Sequence, residues 1–272
     1  MPTFGLTMER NSWSPRSEEF YNQLLVGLGD EVIGQGHMVI VEIVAGREEE
    51  LATYARWARD GSVDVVLCKD IGVGDDLEDR LLELGLAHVV LGDTRQPVRS
   101  NAVAVDNAAG LREAIDYLRA AGHRRIDWIT GPAVQFHTHV RMEVFADYLS
   151  EGLIEGVAAA AEYDPERCRE LITAALQRDH PPTAFLVDGD FLATVAVDCL
   201  RRNGRDVPAE VSVVSWDDSL TCQRADPPIS ALQHHIADLG HAVGRCLIAA
   251  VEGRELRELG PRPQLVIRAS SS

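Results

Sequence analysis

Lysine is all but missing from this chain: of 26 lysine and arginine residues only Lys69 is a lysine, a bias that points to a GC-rich coding sequence and carries no functional weight. Basic residues as a class are also scarce, because 43 acidic residues outnumber them and leave a formal net charge of −17 with a pI near 4.9. No basic stripe relieves that surplus, so this stretch by itself is expected to repel phosphate backbones rather than hold DNA. The five cysteines, Cys68, Cys168, Cys199, Cys222 and Cys246, show no C-x-x-C spacing. A disulfide framework and a zinc site are therefore not expected, and a reducing cytoplasm is the natural setting. The first residues have no basic segment followed by a long apolar one, and no run of about 18 apolar residues occurs, which argues against secretion and membrane insertion. Nucleotide-fold catalysis lacks its marks as well. Gly72-Val73-Gly74 has no third glycine, and neither a phosphate-binding G-x-x-x-x-G-K-[ST] loop, a serine elbow, a cysteine–histidine pairing context nor an H-E-x-x-H pair is present. An enzyme is not expected, and neither a cofactor nor a metal is called for.

What the chain does contain is ample apolar material, 46% of 272 residues, arranged as short β-type runs alternating with longer stretches of helical period. That alternation predicts an α/β fold of βα units around mostly parallel sheets. Strands are expected at 3–8, 38–44, 63–68, 88–92, 103–105, 125–129, 184–187, 211–215 and 265–268. Three of the intervening helices are marked at their ends. Residues 107–121 place Leu111, Ala114, Ile115 and Leu118 on one face before Gly122. Asp164-Pro165 opens a helix to Arg178 with an N-cap and a first-turn proline, and 190–203 ends at Gly204.

Several segments, read in order, carry a further message. Pro181-Pro182-Thr183-Ala184-Phe185-Leu186-Val187-Asp188-Gly189-Asp190 is followed by Val207-Pro208-Ala209-Glu210-Val211-Ser212-Val213-Val214-Ser215-Trp216-Asp217-Asp218, and then by Leu265-Val266-Ile267-Arg268-Ala269-Ser270. Phe20-Tyr21 with Leu24, Leu25 and Gly27, then Val63-Asp64-Val65-Val66, Val105-Asp106-Asn107, Gly122-His123-Arg124-Arg125 and Asp226-Pro227-Pro228-Ile229 fall between and before them. Each is weak alone, but their order and spacing resemble the lactose/galactose repressor family of transcriptional regulators almost from end to end.

The resemblance implies a two-lobed fold like a type I periplasmic binding protein, each lobe a mostly parallel sheet flanked by helices, with three crossovers and a small effector between the lobes. Lobe one would be residues 1–123 plus 236–262, and lobe two 124–235 plus 263–272. It further implies a homodimer reading a two-fold operator. Operator DNA is expected only through an N-terminal helix-turn-helix headpiece, which this sequence lacks either because the chain is trimmed or because the natural protein has none. The implied partner is a small molecule, a sugar first and a purine or nucleoside second, that changes lobe closure and hence operator binding. The rival is a solute-binding protein of a sugar uptake transporter, which shares the fold. The missing signal peptide, the unpaired cysteines and the Asp-Asp and Arg-Ala-Ser segments favour the regulator.

By the same resemblance, Arg141 of Arg141-Met142-Glu143-Val144-Phe145 is the guanidinium that would clamp ligand hydroxyls or a carboxylate, its bland alternative being a solvated helix arginine. Asp217 is the foremost acceptor, since an apolar strand ending in Asp-Asp sets carboxylates at the carboxyl edge of a sheet, where open α/β folds hold ligands. Asp218 is expected to cap the following turn instead. Asp190 is a ligand candidate or the N-cap of its helix. His234 stands where the family often has glutamine, and the adjacent His235 should point away from it, so joint metal ligation is not expected. His137, on a loop before Arg141, and Asp93, ending the fourth strand, are rim candidates. Phe20, Trp13 and Tyr163 are aromatics for stacking on a ring, with core packing as the alternative for Phe20.

Overall fold

The computed structural model describes residues 1–10 and 18–271. In chain order the elements are β1 (Thr3–Glu9), α1 (Glu18–Ile33), β2 (Met38–Val44), α2 (Arg47–Asp60), β3 (Val65–Cys68), α3 (Leu77–Glu83), β4 (Ala87–Asp93) and β5 (Asn101–Val105). They continue with α4 (Asn107–Ala120), β6 (Ile126–Thr130), α5 (Phe136–Ser150), β7 (Ala158–Ala160), α6 (Pro165–Leu176), β8 (Ala184–Val187), α7 (Asp190–Arg202), β9 (Ser212–Ser215), α8 (Leu220–Arg224) and β10 (Ser230–Gln233). The last are α9 (Ile236–Val251), β11 (Arg257–Leu259) and β12 (Gln264–Val266).

Two compact units result, Met1–Asp106 with His235–Pro261, and Asn107–His234 with Arg262–Ser272. The first is built on one wholly parallel sheet, ordered β11-β5-β4-β3-β1-β2. Strand β3 shows why both faces must be covered. Its Val65 and Leu67 enter a cluster with Leu24, Leu28 and Val243, while Val66 and Cys68 enter another with Tyr54 and Trp57. A run with no polar alternation is what a parallel strand buried on two sides requires.

The second unit repeats the plan with the order β12-β10-β9-β8-β6-β7, parallel except for β12 against β10. Along β8, Ala184 and Leu186 face Trp128 and Phe145, whereas Phe185 and Val187 face Leu192 and Ala196. Helix α4 belongs here, its Leu111, Ala114, Ile115 and Leu118 packed in the cluster of Trp128. The unit boundary thus falls at Asp106/Asn107, before α4, whereas the resemblance places it after His123. In each unit the chain lays down its first strand, adds the second on one side and all later ones on the other. The reversal lies between β1 and β3 in the first unit and between β6 and β8 in the second. Such a switch point opens a crevice at the carboxyl ends of the two strands, because the loops leaving them turn to opposite faces.

Candidate functional site in the second unit

At the β6/β8 switch point the apolar run of β8 ends in Asp188-Gly189-Asp190. Gly189 has φ 90° and is the N-cap residue of α7, turning strand into helix within one residue. Asp188, 1% exposed, is thereby held beneath the edge. Three donors meet its carboxylate: Trp128 Nε1–H at 2.9 Å and Arg141 Nη1 at 3.2 Å on Oδ1, and Gly131 N–H at 2.9 Å on Oδ2. The last of these bonds ties the end of β6 to the end of β8 across the switch point.

Arg141 is not a solvated helix arginine: it is 1% exposed on α5. Besides its bond to Asp188, its Nε donates to the His137 carbonyl at 3.3 Å and its Nη2 to Thr138 Oγ1 at 3.2 Å. The guanidinium carbon lies 4.1 Å from the centre of the Trp216 ring and 5.7 Å from that of Trp128. A planar cation on an indole face is a favourable electrostatic contact, stronger when water is excluded. Three of its five N–H groups are spent on these bonds, which leaves donors for a ligand.

Asp217 follows β9. Ser215 Oγ donates to its carbonyl at 2.8 Å and accepts from its N–H at 3.3 Å, so the hydroxyl fixes the turn that aims the carboxylate. Burial first, then the charges of Asp190 and Asp188, push the Asp217 carboxyl from the ordinary 3.8 up to about 7, against the pull of Arg141. His234, after β10, donates from Nε2 to the Trp216 carbonyl at 2.7 Å, lies 3.8 Å from Asp217 Oδ1, and sets its ring 5.2 Å from that of Trp216. Tyr163, with φ 59°, leans over the same edge, where its ring would meet any Cβ placed on Gly131.

Arg141, Asp217, Asp190, His234 and Tyr163 thus share the carboxyl edge of one sheet. Some expected roles change. Asp190 is the first residue of α7 rather than its N-cap, and its carboxylate accepts from Phe191 N–H at 2.7 Å and Ser219 Oγ at 2.5 Å. Asp218 does not cap its turn: Ser219 does so, while Asp218 forms a two-armed pair with Arg268 at 2.7 and 2.8 Å. His137 is not on a loop but in the first turn of α5.

Phe20 and Asp93 belong to the first unit. Phe20 packs partly buried against that unit's core and edge-on to Tyr21, which matches the packing alternative. Asp93 is buried, and its Oδ1 accepts from Arg95 N–H at 2.8 Å within its own turn. Trp13 lies outside the described residues. Sequence reasoning passed over Asp188 and Trp216 as site residues, two of the groups that hold Arg141. The strand-end argument that selects Asp217 applies equally to Asp188, one residue past the β8 run, and was the available signal. Among the described residues no group of three or more His, Cys, Asp and Glu side chains is placed to hold a metal, and no helix is long and apolar enough to cross a membrane.

A profile described as a periplasmic binding protein-like domain matches residues 115–271. Curated relatives include the HTH-type transcriptional regulator CelR of Thermobifida fusca, 28% identical over 92% of this chain and 75% of its own length. The HTH-type transcriptional repressor CytR of Escherichia coli is 23% identical over 93% of this chain and 76% of its own. Among solved structures, a LacI family transcriptional regulator from Bifidobacterium animalis subsp. lactis superposes with TM-score 0.91 at 24% identity, covering 99% of this chain and 97% of that one. The CelR–cellobiose complex superposes with TM-score 0.87 at 25% identity, covering 98% and 84%.

Proposed function

Because the chain belongs to the periplasmic binding protein-like family and the relatives it is similar to are HTH-type transcriptional regulators, we propose that it is the effector domain of a LacI-type regulator, binds a small sugar at the carboxyl edge of its second unit and so controls an operator-binding headpiece. The observation that carries this reading is the buried Arg141 guanidinium laid on Trp216 at 4.1 Å beside the strand-end carboxylate of Asp217. The remaining N–H groups of Arg141 donate to ring hydroxyls, Asp217 accepts from them, and His234 and Tyr163 bound the seat. The CelR relative is solved with cellobiose, which makes neutral disaccharides the first ligands to try, ahead of purines and nucleosides.

A regulator fits better than an uptake protein, since the named relatives are transcriptional regulators. They are not enzymes, and the site has donors and acceptors for binding but nothing that requires a reaction. Acting as a regulator places the protein in the cytoplasm, as a homodimer on two-fold operators. The effector acts only through unequal affinity for the DNA-competent and incompetent forms, because equal binding shifts nothing.

The test is a thermal-shift screen of sugars, purines and nucleosides against the wild type and Asp217→Ala. A ligand at about 100 times its Kd stabilises the fold by roughly 2.7 kcal/mol, a rise of a few degrees in Tm. The expected result is a rise in the wild type that the variant loses. An equal rise in both would remove the site from this edge.

A further inference from the structure

We infer that the effector, on the proposed effector-binding reading, is uncharged or cationic where it meets the second unit, and that Asp188 imposes this by consuming the charge of Arg141. An arginine at a ligand seat is ordinarily a recruiter of phosphate or carboxylate, since its planar fork matches either group. Here the fork already has a carboxylate of the protein's own, Asp188 at 3.2 Å, as deeply buried as the arginine itself. The pair is locked from both sides. Trp128 and Gly131 saturate the carboxylate, and Thr138, the His137 carbonyl and the Trp216 face engage the guanidinium.

What remains at the edge is acidic. Asp190 and Asp217 face the same seat, and the charge of Asp190 helps push the Asp217 carboxyl up. Asp190 accepts from two neutral groups, Ser219 Oγ and Phe191 N–H, while Asp217 feels the single charge of Arg141 and the distant approach of His234 at 3.8 Å. Arg268, on the neighbouring strand end, is held by Asp218 and cannot compensate. A dianionic phosphate brought to the remaining N–H groups of Arg141 would enter a field with more carboxylates than cations. A hydroxyl meets the same N–H groups without that repulsion, and an ammonium is drawn to Asp217 and Asp190.

The experiment is isothermal titration calorimetry at low ionic strength with matched pairs: cellobiose and its 6-phosphate, glucose and glucose 6-phosphate, glucose and glucosamine, adenosine and adenosine 5′-monophosphate. The expected result is that, in whichever pair binds, the phosphate is at least ten-fold weaker than its neutral parent, and the amine no weaker than the alcohol. Asp188→Asn should narrow the phosphate penalty several-fold by releasing the guanidinium. Because that variant disturbs a buried pair, Asp190→Asn serves as the second, narrowing the same penalty without touching Arg141. A phosphate that binds as tightly as its parent, or a penalty unchanged in both variants, overturns the inference while leaving the effector reading intact. A panel in which nothing binds overturns both.

Discussion

Asp217 shows most directly how one side chain's surroundings become a measurable property. Its carboxyl is raised in the folded protein from 3.8 to about 7, so between those values the folded state holds a proton that the unfolded chain has released. Stability contributed by that proton is complete below about pH 4 and is lost as pH rises toward 7. The expected outcome is that Asp217→Asn, which cannot ionise, gains in Tm on the wild type as pH is raised from 4 to 7.5. With 42% of the side chain exposed, solvent screening keeps the gain small. A difference that is flat with pH would show that this carboxyl titrates normally. The Arg141–Asp188 pair makes the opposite kind of statement. Removing one member strands a buried charge, and Asp188→Ala should cost about 3–5 kcal/mol in urea denaturation. A loss below about 1 kcal/mol would mean the pair is solvated. Arg141 and Asp217 were legible because their residue types and neighbours repeat a known pattern. Asp188 was legible only as a strand-end carboxylate; its burial and its pairing with Arg141, 47 residues away along the chain, leave no local signal, and only the fold brings β6, α5 and β8 to one point.

At the scale of elements, the strands that sequence alone locates are those whose environment is uniform. Expectation and structure coincide for β2 and β8, and differ at the ends of β1, β3, β4, β5, β6 and β9 by a residue or two. The missed strands β7, β10 and β11 are short and compositionally quiet. Ala158–Ala160 has no β-branched residue, Arg257–Leu259 carries two charges on an edge, and Ser230–Gln233 has polar ends, of which Ser230 bonds to Ser270 Oγ and the Arg268 carbonyl. Their pairing comes from tertiary context that a weak β propensity cannot announce. Helix contacts are subtler still. Where α1 meets α9, a Cβ on Gly27 would lie 1.9 Å from the Ala237 carbonyl oxygen, and one on Gly240 2.3 Å from that of Leu24. The two backbones approach where only hydrogen atoms fit, which lets Leu24, Leu28, Leu239 and Val243 close over the sheet. Gly240→Ala gains helix propensity but must push the helices apart, and is expected to destabilise by about 1–3 kcal/mol, the usual range for overpacking. Equal or higher stability in thermal denaturation would show that the helices separate freely.

The described chain forms two units of one topology, each with its own sheet and two-sided core, the first completed by α9 and β11 before β12 returns to complete the second. The resemblance places a boundary after His123, whereas the opening segment of the first compact unit ends at Asp106. Helix α4 begins at Asn107, with Asp106 alone separating it from β5, so no linker in the sequence sets it apart from the first unit. Its apolar face, Leu111, Ala114, Ile115 and Leu118, decides the matter by packing on Trp128, Phe145 and Leu186. Charge is the other property of the whole, and it bears on how operator DNA is reached. Binding to duplex DNA draws on release of counterions by lysines and arginines, and its nonspecific strength, typically about 10⁻⁴–10⁻⁶ M, depends on an excess of them on one face. Here 43 acidic groups oppose 26 basic ones, and many of the arginines are engaged with carboxylates, among them Arg47, Arg99, Arg141, Arg178, Arg245 and Arg268. These residues alone are therefore expected to give no rise in the fluorescence anisotropy of a labelled duplex at about 50 mM salt, a condition that favours any electrostatic contact. On the proposed reading, adding the effector should leave that result unchanged, because its action would be on a headpiece and not on these surfaces. A salt-sensitive rise in anisotropy would place a DNA-binding face within the two units themselves and overturn this division of labour.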